Sequence, residues 1–181
     1  MSASSRLRGN AGSSIQWNRT GVARLSGLAY VDGKMATTAI TTAPGTYALV
    51  LAGRKTNTVR IGSLGTLELK PGVYIYIGSA FGPGGLAARI RHHTEIAVRP
   101  HWHSDYLRAA CDLIEVWITT QGGRHEHSWA RAVARLPGSQ VPMPGFGSSD
   151  CNCQTHLFWF QHAPSIRTFR RFVQTMVNVR R

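Results

Sequence analysis

Acidic residues are scarce in this sequence. Eight Asp and Glu stand against 21 Lys and Arg, a formal net charge of +13. That imbalance argues against cationic partners and makes a polyanion, nucleic acid first, the expected one. Lysine is scarce too: only 3 of the 21 bases are Lys and 18 are Arg, a skew that compositional bias also produces, so charge alone does not identify the partner. Cysteines number three, and Cys151 and Cys153, one residue apart, are poorly suited to pair with each other. The odd count excludes a disulfide framework and points to a reducing, cytoplasmic compartment. Long apolar runs are missing. The longest, Tyr47–Ala52 and Val73–Ile77, are far too short to cross a bilayer, so no membrane partner is expected. The first 31 residues contain neither an acid nor the apolar core of a secretory signal. They read as part of a flexible basic extension over residues 1–43, with Met35 an alternative start. No internal repeat or low-complexity tract is present.

What remains suits one domain over residues 44–160, followed by a basic tail over 161–181. The flanks hold much of the charge: five bases and one acid before residue 44, and five bases without an acid after 160. Thr46–Ala52 is rich in aromatic and β-branched residues, and Thr58–Ile61 resumes an extended pattern after Gly53-Arg54-Lys55-Thr56-Asn57, which reads as a hairpin. Thr66–Leu69 is a further short extended run, closed by Pro71-Gly72. Val73–Ile77 alternates aromatic with aliphatic side chains and is the clearest strand. Ser79–Gly85 supplies a loop, and Leu86 to about Val98 a helix with Leu86, Ile90 and Ala97 towards the core. Leu113–Thr119 and His156–Phe160 read as strands and Ser128–Leu136 as a helix. In the tail, Ile166, Phe169, Val173, Met176 and Val177 fall at helical intervals among Arg. The expected class is α+β, a small mainly antiparallel sheet flanked by helices.

Gly45-Thr46-Tyr47, then Tyr76-Ile77-Gly78-Ser79, then Gly85-Leu86 and Arg89 with His93 four residues on, form an ordered series. In order and local spacing this series resembles the GIY-YIG nuclease superfamily. The similarity is closer to a little-characterised branch whose members occur alone or joined to endonuclease III. That branch is marked by Trp-His-x-Asp-Tyr-Leu and Gly-Phe-Gly-Ser-Ser-Asp-Cys-x-Cys, present here as Trp102–Leu107 and Gly145–Cys153. The resemblance runs from Gly45 to Phe158. Thr46 stands where the superfamily has Ile, and 28 residues separate Tyr47 from Tyr76, so Gly53–Pro71 is expected to be an inserted hairpin. The Asn that many relatives carry near the domain's end has no counterpart.

The resemblance implies a metal-dependent endonuclease acting on phosphodiester bonds, with DNA favoured and repair as a setting. Such cleavage needs an activated water, neutralisation of charge on the phosphate oxygens and stabilisation of the departing oxygen. By resemblance, Tyr47 activates or positions the water and Tyr76 orients the phosphate. Arg89 supplies a permanent cation with a planar fork, and His93 lies one helical turn on. The side chains of Tyr47, Tyr76 and Arg89 should therefore line one accessible pocket with His93 near its rim. Glu126, where the superfamily places its metal-binding Glu, is the candidate ligand for Mg²⁺ or Mn²⁺, with Glu115 in reserve. Arg91, Arg167, Arg170 and Arg171 are candidate phosphate contacts.

A different chemistry is offered by His101-x-His103, His125-x-His127 and Cys151-x-Cys153-x-x-His156, which carry nitrogen and sulfur enough for zinc but no standard finger spacing. Buried thiols and hydrogen-bonded histidines explain such residues more often, and His101, His103 and Asp105 read as a polar network around the active face. The rival to the nuclease is a non-catalytic nucleic-acid-binding module of the same fold. It needs only a positive face, whereas the enzyme needs Tyr47, Tyr76, Arg89 and Glu126 in one cleft.

Overall fold

The computed structural model describes residues 40–178, with side chains up to residue 174, and, upstream, the backbone of four short strands. These are β1 (Ile15–Trp17), β2 (Ala23–Leu25), β3 (Ala29–Val31) and β4 (Lys34–Ala36). The rest of the extension expected over residues 1–43, up to residue 39, lies outside the described residues. Within the domain follow β5 (Gly45–Gly53), β6 (Asn57–Ile61), β7 (Gly65–Leu69), β8 (Gly72–Ala80), β9 (Asp112–Thr119) and β10 (Leu157–Phe160). The helices are α1 (Gly85–Thr94), α2 (His103–Arg108), α3 (Glu126–Ala134) and α4 (Ile166–Asn178).

β5 is buried along almost its whole length, which only a central strand with covered faces allows. It pairs antiparallel with β8 from Gly45 opposite Ala80 to Gly53 opposite Gly72, and antiparallel with β9 on its other edge, with a bulge at Val50/Leu51. β10 adds antiparallel to β8; β3 runs parallel to β9, and the order is β10-β8-β5-β9-β3-β4. The α+β class and mainly antiparallel sheet are as the sequence implies.

The expected hairpin between Thr46–Ala52 and Thr58–Ile61 does not form. β6 pairs instead with β7, as a separate two-stranded ribbon inserted between β5 and β8. The reason lies in burial: β6 is mostly exposed and cannot line an edge of the doubly covered β5.

Period-two alternation divides the core. Tyr47, Leu49, Leu51, Tyr74, Tyr76, Val116 and Ile118 point to the face covered by α1, α2 and the ribbon. Ala48, Val50, Ile75, Ile77 and Trp117 point to the face covered by α3 and α4. The tail is thus a docked helix: Phe169 stacks on Trp117 with ring centroids 4.8 Å apart and meets Trp129 edge-on at 4.9 Å. The side chains of Met176 and Val177 lie outside the described residues.

Main chain caps α1, with the Leu86 and Ala87 N–H groups donating to the carbonyls of Ala43 and Thr41 at 3.1 and 2.9 Å. That helix ends at Thr94, short of Val98. The Thr94 hydroxyl donates to the Arg91 carbonyl at 2.7 Å, and Glu95 turns extended. Ile96 and Val98 are left exposed, and Ala97 does not join the core. Helix α3 begins at Glu126, earlier than expected, because the His125 carbonyl accepts both the Ser128 hydroxyl and the Trp129 N–H. Among the described residues no helix is long and apolar enough to cross a membrane.

Candidate functional site

The site grows from the pairing of β5 with β8. Tyr47 sits directly opposite Gly78, and its ring lies across the adjacent strand so closely that a Cβ at residue 78 would overlap the phenol hydroxyl. The glycine of Tyr76-Ile77-Gly78 is therefore the space the first tyrosine occupies. Tyr76, two residues earlier on the same face, stands 6.4 Å from Tyr47 between ring centroids. Its far side meets Phe146 at 5.8 Å, and Gly147, with φ +69°, passes so close that a Cβ would lie 2.8 Å from the Tyr76 ring.

Helix α1 crosses above the tyrosines and brings Arg89 and His93 with it. Nε2 of His93 lies 2.7 Å from the Tyr47 hydroxyl. His93 is fully buried, 1% exposed, and so forms part of the floor, not the rim that the sequence suggested. Its place one turn from Arg89 on an amphipathic helix points it inward. Burial, reinforced by the charges of His92 and Arg89, lowers its pKa to about 3, so the ring is neutral and shares a hydrogen bond with the Tyr47 hydroxyl. Burial, then neighbouring Tyr76, raises the Tyr47 phenol well above its usual value against the pull of Arg89. Tyr76 is also raised, by burial first and then by the charge of Glu126. Both phenols are therefore neutral and serve as hydrogen-bonding groups.

The Arg89 guanidinium lies 4.0 Å above the Trp102 ring, a cation–π stack that fixes its plane. Trp102 rests edge-on against His92 at 4.5 Å. Behind them the Asp105 carboxylate accepts the His101 and Trp102 N–H groups at 2.9 and 3.0 Å and meets His92 Nε2 at 2.7 Å. Burial raises the Asp105 pKa, but these three contacts outweigh it and hold the carboxyl below its ordinary range. The Trp-His-x-Asp segment is thus a bracket for Arg89. His103 accepts the Gly147 N–H at 3.0 Å and ties that bracket to the loop beneath Tyr76, whereas the exposed His101 enters the network through its backbone. Arg108, missed in the sequence, donates from a buried position to the His93 carbonyl at 2.7 Å.

Glu126, at the start of α3, meets Ser79 at the same end of β8 as Gly78. Burial raises its pKa, but hydrogen bonds from His156 and Ser79 prevail and keep it ionised. Its charge is felt by both phenols. Glu115, the reserve, lies on β9 opposite Val50 and takes no part. Tyr47, Tyr76, Arg89, His93 and Glu126 thus act on one another, but Tyr47, 2% exposed, is buried and does not line the accessible pocket that the sequence suggested. The four arginines assigned to phosphate do not join them: Arg91 faces outward and pairs with Glu95 at 3.3 Å, while exposed Arg167, Arg170 and Arg171 ride on α4, across the sheet from the tyrosines.

The family model for a domain of unknown function, DUF123, matches residues 46–178, and the chain belongs to that family. No curated protein and no solved structure matches it.

Proposed function

We propose that this member of the DUF123 family is a metal-dependent endonuclease that hydrolyses phosphodiester bonds in nucleic acid, with DNA the favoured substrate and repair its setting. The reading is supported above all by one observation. Phenols, an imidazole, a guanidinium and a carboxylate from β5, β8, α1 and α3 come together where packing alone would favour apolar groups, and the imidazole and one phenol are hydrogen-bonded at 2.7 Å.

Arg89, held flat on Trp102, offers a phosphate two parallel N–H donors. Tyr76, the more exposed phenol, donates to a second phosphate oxygen. Tyr47 lies deeper and holds the attacking water by a hydrogen bond: the water oxygen joins phosphorus as the bond from phosphorus to the departing oxygen breaks, the water's proton passes to solvent and the departing oxygen takes one from it. Glu126 fits a hard divalent cation, Mg²⁺ or Mn²⁺, because such ions keep most of their water and need few protein oxygens, and a carboxylate has more acceptor sites than His156 and Ser79 occupy. When bound there, the ion would neutralise phosphate charge and stabilise the departing oxygen.

One observation favours the non-catalytic nucleic-acid-binding module: Glu126 is already engaged by two neighbours. A screen of single-stranded, duplex and branched DNA and RNA, with each metal in turn, separates the readings. Cleavage by the wild type, lost in Tyr47→Phe, is expected. If the wild type cuts nothing with either ion while Tyr47→Phe and Arg89→Ala bind as it does, the enzyme reading fails.

A further inference from the structure

Two of the three cysteines and two histidines outside this cluster come together. The Sγ atoms of Cys151 and Cys153 and one ring nitrogen each of His127 and His156 all lie within 4.8 Å of one another. His127 Nδ1 is 3.3 Å from Cys153 Sγ, and His156 Nε2 is 3.5 Å from Cys151 Sγ. In tetrahedral zinc, with bonds of about 2.3 Å to sulfur and 2.0–2.1 Å to nitrogen, the nitrogen–sulfur edge is about 3.6 Å. Two nitrogen–sulfur edges therefore already match the spacing a zinc ion would impose, and the remaining edges, all within 4.8 Å, need only contract. They come from two chain segments, the first turn of α3 and the loop running into β10.

We infer that His127, Cys151, Cys153 and His156 form a structural zinc site. Two thiols and two imidazoles are soft and borderline donors that select zinc over Mg²⁺, and four protein ligands leave no position open for substrate. Glu126 supplies an independent observation. The other ring nitrogen of the buried His156, Nδ1, lies 3.0 Å from Glu126 Oε1. A carboxylate behind a ligating imidazole fixes its orientation and raises its basicity, an arrangement that recurs at protein zinc sites. The ion would fasten α3 to the loop that holds Phe146 and Gly147 against Tyr76, linking it to the site without touching the reacting phosphate. The proposal does not depend on nuclease activity. Cys111, buried among the side chains on the tyrosine face, takes no part.

The full chain, purified under reducing conditions without chelator, should contain one equivalent of zinc by elemental analysis. After removal of the metal, titration with Co²⁺ should produce visible bands of tetrahedral coordination and a near-ultraviolet thiolate charge-transfer band, both saturating at one equivalent and displaced by Zn²⁺. Cys111→Ser should reproduce that spectrum, while Cys151→Ser and exposed His127→Ala should reduce or shift it. Glu126→Gln should weaken zinc by about 10–100-fold in chelator competition. Absence of a one-to-one site in the wild-type titration would overturn the proposal even if a ligand variant failed to fold, as would Cys151→Ser and His127→Ala proteins that bind Co²⁺ as the wild type does.

Discussion

Gly78 and Tyr47 form a steric pair across β8 and β5. A methyl group at residue 78 would occupy the place of the Tyr47 hydroxyl, so Gly78→Ala must push that ring from His93. A displacement of about 1 Å is enough for a loss on the order of a hundredfold in rate, with the circular-dichroism spectrum kept. A Gly78→Ala protein with wild-type cleavage would mean that the Tyr47–His93 contact is irrelevant. Arg89→Ala should lower the rate by roughly a hundredfold or more, and more than it lowers affinity, since a fixed cation matters most where charge develops. Lys at this position should restore only part, because an ammonium neither stacks flat on Trp102 nor makes a two-point contact. Glu126→Gln should abolish cleavage while leaving nucleic-acid binding intact, as read by gel shift in the presence of Mg²⁺.

Helix α4 has an apolar, packed side and a basic, exposed side. Its inner side carries Phe169 into the pocket of Trp117 and Trp129; its outer side carries Arg167, Arg170 and Arg171. Deleting the tail would therefore confuse stability with affinity, and two substitutions separate them. Phe169→Ala should destabilise the fold by about 3–5 kcal/mol in urea denaturation, the usual result of truncating a buried aromatic. Neutralising Arg167, Arg170 and Arg171 together should cost less stability than Phe169→Ala. It should weaken nucleic-acid binding and flatten the log–log salt dependence by roughly 0.9 for each phosphate that is no longer neutralised. An unchanged salt slope would make the basic face of α4 a solvated surface only.

For the whole molecule, buried His93 makes stability depend on pH. Its folded pKa, about 3, lies below the ordinary 6.5, so the unfolded chain takes up a proton first as pH falls. The contribution is fully present above about pH 6.5 and declines down to about pH 3. Between pH 7 and pH 5 the loss is about 2 kcal/mol from this residue. His103, also lowered by burial, acts in the same direction. Unfolding midpoints of the wild type should fall more steeply over that interval than those of His93→Gln; parallel curves would refute the assignment.

Much of this was legible along the chain, because period-two alternation and glycine placement are local. Val73–Ile77 declared a strand, the Pro71-Gly72 turn closed the inserted ribbon, and the motif resemblance singled out Tyr47, Tyr76, Arg89 and Glu126. The sequence by itself determined the α+β class, the inserted hairpin and which side chains were candidates for chemistry. Strand partners were not legible, since β5 suits any strand that buries its edge, and only the covered faces decided for β8 over β6. Nor could spacing say that His93 is floor, that Asp105 braces Trp102 beneath Arg89, or that His127, far from Cys151 in the chain, sits beside Cys153. Those facts depend on contacts between distant segments. Burial and charge balance around each group are properties of the packed molecule, and no stretch of residues contains them.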